Sequence, residues 1–223
     1  MVKSRDTLVS SRTRLINHAQ GVVKTTGERL PVYSSASCAK RCAEHVPDQL
    51  RSALEPIFEA IVHINEQIRD LDKKIDQLCR EQYPETQRLQ QVPGAGPITA
   101  LSYILSIEDQ KRFAKSRQVG PFLGLTPRRD QSGRVDKQLP ITKAGNRCLR
   151  RLLVGSAQYI LEPFGPDSEL RRHGLSIAVR GGKNGKRRAA VAMARKLSVL
   201  LHRLWVSEQD YEPFYSKVYK KAT

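Results

Sequence analysis

The segment IFEAIVHINEQIRDLDKKIDQL, residues 57–78, repeats an apolar residue at alternating intervals of four and three positions. This heptad spacing predicts an α-helix that packs along one narrow seam. The seam residues are Ile57, Ile61, Ile64, Ile68, Leu71, Ile75 and Leu78. Two partners for the seam remain open: an earlier helix of the same chain, or a second copy in a coiled-coil homo-oligomer. Asn65 lies beside the seam, where we expect it to be solvated.

Helical periodicity extends to both sides of this segment. Apolar spacing predicts a first helix over about residues 3–25, which Gly27 and Pro31 would end. We expect a mainly α fold, with a helical linker and coiled-coil region over residues 1–83 and a compact basic helical domain over residues 84–223. Any strands should be short and lie near Ser132.

The positive charge of the chain is unevenly distributed. The 223 residues contain 39 Lys and Arg against 22 Asp and Glu, a formal net charge of +17. Residues 1–83 contribute 13 basic and 11 acidic residues, whereas residues 84–223 contribute 26 and 11. A polyanion, such as nucleic acid, is therefore the expected partner of the second part.

Several protein classes do not fit this composition. The sequence has no apolar run of the roughly 18 residues that a membrane helix needs, and no apolar signal-peptide core follows Met1. Its four cysteines fit a reducing cytoplasm. The glycine-rich stretch 181–188 is not a P-loop, because Arg180 and Arg187 stand where that motif needs Gly and Ser or Thr.

A Gly-x-Gly turn at residues 94–96 predicts a backbone contact with a phosphate group of nucleic acid. Pro97 is suited to the first position of a helix, and Gly94 and Gly96 would allow the backbone to approach a ligand closely. Free N–H groups at the start of a helix attract anions. The pattern is typical of a helix-hairpin-helix element, and the alternative is an ordinary corner between two helices.

The loop around Ser132 predicts a site for phosphodiester chemistry. Arg128, Arg129 and Arg134 flank Ser132-Gly133, and guanidinium groups can stabilise the charge that develops on a phosphate under attack. The alternative is a surface turn without chemistry. Further candidate phosphate contacts follow at Lys143, Arg147, Arg150, Arg151, Lys183, Lys186, Arg187 and Arg188.

Three ordered blocks carry a family resemblance. They are VPGAGPITALSYIL (92–105), RFAKSRQVGPFLGLTPRRDQSGR (112–134) and ITKAGNRCLRRLLVGSA (141–157). Together they resemble the C-terminal domain of the insertion-sequence family 110/1111 transposases, which are similar to Piv-type DNA invertases and include bridge-RNA-guided recombinases. The heptad segment and residues 5–27 are similar to the linker and coiled-coil region of that family.

The resemblance implies a function and a nucleophile. It implies DNA transposition in which Ser132 attacks a DNA phosphodiester, and it implies DNA and a structured guide RNA as partners. It also implies a cytoplasmic, nucleoid-associated protein of a prokaryote. Gly133 matches the residue that keeps the turn open in the family.

One part of the family pattern is missing from this sequence. Family members carry an N-terminal RuvC-like domain whose acidic residues bind divalent metal, and Asp6 alone cannot replace that set. We therefore expect no cofactor in this chain, with Mg²⁺ entering only with the RuvC-like domain, and we expect a fragment or a shortened reading frame. The alternatives are a non-catalytic nucleic-acid-binding protein, a truncated transposase remnant, or an assembly adaptor built on the heptad helix.

Overall fold

The heptad segment lies in one long helix in the computed structural model of the chain, which describes residues 1–132 and 135–214. Two compact units divide between Gln77 and Leu78, whereas the sequence suggested a division after Tyr83. The first unit contains α1 (Val2–Lys24), α2 (Cys38–Ala43) and most of α3 (Asp48–Glu81). The prediction of a first helix over about residues 3–25 is confirmed within one residue at each end.

Helices α1 and α3 form an antiparallel hairpin within the chain. Arg5 of α1 forms an ion pair with Asp72 of α3, and Arg12 Nη1 donates a hydrogen bond to Asn65 Oδ1 at 2.8 Å. The pairing is antiparallel because the residue number rises along α1 as it falls along α3. The intramolecular partner of the seam is thus present, and a second copy of the chain stays a prediction.

The buried face of α3 is rotated by one position from the predicted seam. Ile61, Ile68 and Ile75 are buried as expected, but Ile57 and Ile64 are only half-buried. The remaining buried positions of α3 in this unit are Leu54, Phe58 and Asn65. The expectation of a solvated Asn65 is wrong, because the residue is only 7% exposed. Two hydrogen bonds satisfy the buried amide: its Oδ1 accepts from Arg12, and its Nδ2 donates to the Ala36 carbonyl at 3.2 Å.

The second unit is also mainly helical and contains one β-hairpin. Its further helices are α4 (Thr86–Gln90), α5 (Pro97–Ile107), α6 (Val119–Phe122), α7 (Arg147–Leu161), α8 (Glu169–Arg180) and α9 (Gly185–Ser207). Short 3₁₀ turns cover Gln110–Arg112, Ser116–Gln118 and Gly182–Asn184. The strands β1 (Pro127–Ser132) and β2 (Val135–Ile141) pair antiparallel, as short strands expected near Ser132.

Helix α9 forms the centre of the core in the second unit. It packs against α4, α6, α7 and α8, and its buried face includes Met193, Leu197 and Leu201. The Tyr103 hydroxyl of α5 donates to the Ser198 carbonyl of α9 at 2.6 Å. Burial raises the pKa of Tyr103 well above its ordinary value, so the phenol remains protonated and keeps this bond.

These elements confirm the mainly α fold class. A coiled coil between chains and a helix-hairpin-helix at the Gly-x-Gly turn stay predictions. Among residues 1–132 and 135–214, no helix combines the length and the apolar composition that crossing a bilayer requires.

Candidate nucleic-acid interface and serine hairpin

Ser132 is the last residue of β1, in a β-hairpin that we call the serine hairpin (residues 127–132 and 135–141). Its backbone pairs with Val135, and Gln131 pairs with Asp136. The two residues between the strands, Gly133 and Arg134, lie outside the described residues, so the predicted roles of both stay predictions. The Ser132 side chain is exposed.

The alternation of side chains along β1 separates the two described arginines of the loop. Successive residues of a strand point to opposite faces, so Asp130 shares the face of Ser132 whereas Arg129 and Gln131 occupy the other. Arg128 lies where the strand register shifts, between the pairs Pro127–Ile141 and Arg129–Gln138. All five side chains are exposed. Because Arg129 is on the face away from Ser132, Arg128 is the better candidate of the two for a phosphate bound at Ser132.

The hairpin stem, residues 122–126 and 142–146, is held by backbone contacts. The Thr142 amide donates to the Thr126 carbonyl at 3.0 Å, and the Lys143 amide donates to the Gly124 carbonyl at 3.2 Å. Gly124 has a φ of +65°, and a side chain there would bring its Cβ within 2.3 Å of the Ala144 nitrogen. The close approach of the two sides thus requires glycine at this position.

Arg150 binds the stem from helix α7. Its Nη1 donates to the Leu123 carbonyl at 3.0 Å and to the Ala144 carbonyl at 2.5 Å. Asn146 completes the connection: its Oδ1 caps the first turn of α7, and its amide donates to the Ser106 hydroxyl at 2.9 Å. The sequence suggested Arg150 as a phosphate contact, but its guanidinium is engaged in fixing the base of the serine hairpin.

The other predicted basic residues lie in four places in the second unit: the stem, α7, the turn between α8 and α9, and the start of α9. Lys143 is exposed in the stem, with a φ of +59°. Arg147 and Arg151 are exposed on α7. The remaining exposed cations are Lys183, in the turn between α8 and α9, and Lys186, Arg187 and Arg188, in the first turn of α9.

The two glycines of the Gly-x-Gly turn have different surroundings. A Cβ on Gly94, whose φ is +82°, would lie 2.8 Å from the Ser156 carbonyl oxygen and 3.3 Å from the Tyr159 ring. Gly94 therefore packs the turn against α7. Gly96 precedes α5 and has open space where a Cβ would lie, so it is the position that a ligand could approach.

Tyr159 is a candidate contact that the sequence reasoning missed. It lies on α7, is 55% exposed, and lines a shallow groove of about 350 Å³ together with the Gly-x-Gly turn. The sequence does contain a signal for it: Tyr159 follows Arg147, Arg151 and Gly155 at intervals of four residues, which places it on the same side of the helix as the two arginines.

The electrostatic environment of the second unit is basic around α8 and α9. Burial first, and then the positive charges of Lys196 and Arg180, lower the pKa of His173. In the described part of the chain, no group of three or more His, Cys, Asp or Glu side chains has the arrangement to hold a metal ion. The described residues therefore do not offer an acidic metal site of the kind that a RuvC-like domain carries.

The chain is similar to known transposases. Residues 86–169 match the family model described as "Transposase IS116/IS110/IS902 family". The chain is 30% identical over 222 residues to "Transposase for insertion sequence element IS1111A" of Coxiella burnetii, covering 95% of this chain and 59% of that protein. It is 26% identical to "Probable family 20 transposase" of Pseudomonas aeruginosa, and the match covers 96% of this chain and 64% of that protein.

A third relative matches a shorter part of the chain. "Transposase for insertion sequence element IS1328" of Yersinia enterocolitica is 29% identical over 163 residues, which cover 71% of this chain and 48% of that protein. The chain thus spans between about half and two thirds of the length of these relatives. Residues 86–169 therefore belong to the IS116/IS110/IS902 transposase family, and the likeness to known transposases extends along nearly the whole chain.

Proposed function

We propose that this chain is the serine-bearing part of a DNA transposase, which binds DNA through its basic second unit and attacks a phosphodiester with Ser132. The observation that carries the proposal is the position of Ser132: it is exposed at the end of β1, the strand that also carries the exposed Arg128. The stem below it is fixed by Gly124 and Arg150. A nucleophile that is exposed at the end of a supported hairpin is accessible to a phosphate of a bound duplex.

The proposed step exchanges one phosphoester bond for another. The Ser132 oxygen forms a bond to phosphorus as one bond from phosphorus to a sugar oxygen breaks, and the hydroxyl proton is transferred to the departing sugar oxygen. The resulting phosphoserine retains the phosphoester bond, so a second DNA end can displace the serine in the reverse sense. Arg128 would stabilise the charge on the non-bridging oxygens during the step.

The exposed cations would bind DNA without reading its sequence. Lys143, Arg147 and Arg151 lie in the stem and on α7, close in sequence to the hairpin. Further phosphate contacts would come from Gly96 at the start of α5 and from the exposed cations Arg129, Lys183, Lys186, Arg187 and Arg188. Neutralising phosphates releases bound counterions, so affinity should fall steeply as salt is raised.

The proposal also covers partners that belong to the whole transposase. A structured guide RNA would bind the same protein and select the target, and α3 would join copies of the chain through its half-exposed row at Ile57, Ile64 and Leu71. Any Mg²⁺ would be held by a RuvC-like domain, so no step at Ser132 is routed through metal. The protein would act at the chromosome of a prokaryotic cell.

Covalent capture of DNA tests the serine assignment. The chain would be incubated with labelled duplex DNA carrying an insertion-element end, and the mixture denatured and separated by size. A protein-linked label is expected for the unchanged chain and for Gln131→Ala, whose side chain lies next to Ser132 on the opposite strand face. Ser132→Ala should bind the DNA with unchanged affinity and retain no label.

The outcomes separate binding from chemistry. A label that persists in Ser132→Ala would show that another residue is the nucleophile. Binding without any label, even when the RuvC-like region of a longer relative is added, would reject the chemical step. Failure of the unchanged chain to bind DNA at low salt would reject the proposed function altogether.

A further inference from the structure

The outward side of α7 presents a row of exposed positions four residues apart. These are Arg147, Arg151, Gly155 and Tyr159. Residues at this spacing form one of the natural ridges of an α-helix, inclined gently to its axis. The row measures about 18 Å from end to end at 1.5 Å per residue. It begins beside Asn146, the cap that joins α7 to the stem of the serine hairpin.

Gly155 is the unexplained member of this row. Glycine in the interior of a helix destabilises it relative to alanine, so the position calls for a compensating reason. No described atom lies within 4 Å of where a Cβ on Gly155 would stand. By contrast, backbone atoms crowd the corresponding space at Gly94 and Gly124. Packing within the described chain therefore does not require glycine here, and its absent side chain leaves the backbone of α7 open to an external molecule.

Tyr159 ends the row at a concave site. One edge of its ring lies against Gly94, and more than half of its surface is exposed. The adjoining groove of about 350 Å³ is lined by the turn from Gln90 to Gly96, and this volume lies at the lower end of the range for small-molecule pockets. An exposed aromatic ring beside a small groove is suited to stack against one planar group.

We propose that the α7 face (Arg147, Arg151, Gly155 and Tyr159) binds a separated strand of DNA. Two phosphates contact the arginines, the strand passes over Gly155, and one unstacked base lies on Tyr159. The inference rests on the proposed function, because the attack of Ser132 on a phosphodiester would supply the separated strand. The row accommodates no more than roughly five nucleotides at the 3.4 Å rise of one strand in B-form DNA.

Charge and stacking favour this occupant over another protein. Two arginines one turn apart match a row of phosphates, and none of the four residues of the face is aliphatic, whereas the buried core of a protein interface is largely apolar. A base can reach Tyr159 only after it has left the duplex stack, and strand exchange provides such bases. The face is therefore assigned to a single strand and not to an intact duplex.

Affinity for a labelled oligothymidylate, measured by fluorescence anisotropy, tests the proposal. Tyr159→Leu should weaken binding roughly 5- to 150-fold, the range for loss of one base–aromatic stack, and Tyr159→Phe should retain the affinity of the unchanged chain. Arg147→Gln should reduce the slope of log affinity against log salt by about 0.7, the value for one phosphate of a single strand.

Gly155→Glu provides the sharpest variant, because it places a carboxylate in the row without a steric conflict. Its matched control is Gly21→Glu on α1, another exposed helical glycine with no described atom within 4 Å of a Cβ. Both changes favour the helix, so both variants should fold. Only Gly155→Glu should weaken oligothymidylate binding, and the loss should shrink as salt is raised.

Each other outcome overturns a defined part of the inference. If Tyr159→Leu and Gly155→Glu bind oligothymidylate like the unchanged chain while Ser132 still captures duplex DNA, the α7 face is wrong and the proposed function stands. If oligouridylate RNA binds more tightly and is affected more strongly by both variants, the strand is RNA. If Gly155→Glu changes only the oligomer mass in sedimentation, the face joins two copies of the chain. Failure of the unchanged chain to bind any DNA removes the proposed function itself.

Discussion

Replacing Gly145 by alanine should release the stem of the serine hairpin. Gly145 has a φ of +69°, and its Cβ would lie 2.2 Å from the carbonyl oxygen of Phe122. Gly182 has a similar φ of +58° but open space around the same point. Gly182→Ala therefore introduces only the backbone strain, whereas Gly145→Ala adds a clash with backbone on the opposite side of the stem.

The expected cost follows from these two contributions. A left-handed backbone costs an L-residue roughly 1–2 kcal/mol, which is the whole expected effect of Gly182→Ala. Relief of the clash at Gly145 must move residues 143–146 away from Phe122, which breaks the Lys143–Gly124 bond and the bond from Arg150 to Ala144. At about 1 kcal/mol for each bond, Gly145→Ala should cost roughly 3–4 kcal/mol in total.

Hydrogen exchange measures the local part of this cost. The amides of Thr142 and Lys143 are bonded across the stem, so Gly145→Ala should accelerate their exchange far more than that of amides in α9. Gly145→Ala should also reduce the covalent capture of DNA by Ser132, by a factor similar to the acceleration of exchange. Gly182→Ala should alter neither the exchange of these amides nor the capture of DNA. Equal free energies of unfolding for the two variants, with unchanged exchange at Thr142 and Lys143, would refute the view that the stem positions the serine.

Three further predictions concern buried polar side chains inside the first or the second unit. Tyr103→Phe removes the buried bond to the Ser198 carbonyl and should lower the free energy of unfolding by about 1 kcal/mol in urea titration; an unchanged value would contradict a role for this bond. Asn65→Ala should cost roughly 1–3 kcal/mol in the same assay, because it deprives the Arg12 guanidinium of a partner in a half-buried site, and a loss no larger than that of the exposed control Gln67→Ala would count against it. Burial lowers the pKa of His202 below its ordinary value of 6.5, so the unfolded chain binds its proton first and stability should decline as the pH falls below about 6.5. His202→Gln should flatten that decline in thermal unfolding between pH 7 and pH 5, and an equally steep decline would assign it to other groups.

The long helices could be predicted from sequence because their apolar spacing is a local property. The heptad spacing located α3, and the apolar spacing over about residues 3–25 located α1. The exact buried face of α3 could not be obtained in this way. Asn65 is polar and interrupts the apolar repeat, yet it is buried because Arg12, 53 residues earlier, supplies its hydrogen-bond partner.

The candidate site shows the same limit more sharply. Gly94 and Arg150 were expected to face phosphate, since glycine permits close approach and arginine binds anions. The groups that they contact in the structure are backbone atoms of Ser156 and of the hairpin stem. The sequence indicates which groups a residue can bind. It does not show which group within the protein competes for that residue, because the competing group lies in another part of the chain. The short strands beside Ser132 were easier to predict, because a hairpin depends on neighbouring residues alone.

The charges at the starts of α7 and α9 bear on where a phosphate could bind. The positive end of a helix dipole lies at its first turn, where an acidic residue stabilises and a cation destabilises by roughly 0.3–1 kcal/mol. Helices α3 and α8 follow this preference, with Asp48 and Glu169 in their first turns. Helices α1, α7 and α9 reverse it: none of them has an acidic residue there, and each has an exposed cation in its first turn. Of these three, α7 and α9 carry most of the proposed DNA contacts, and a phosphate bound there would remove the repulsion that the free protein retains.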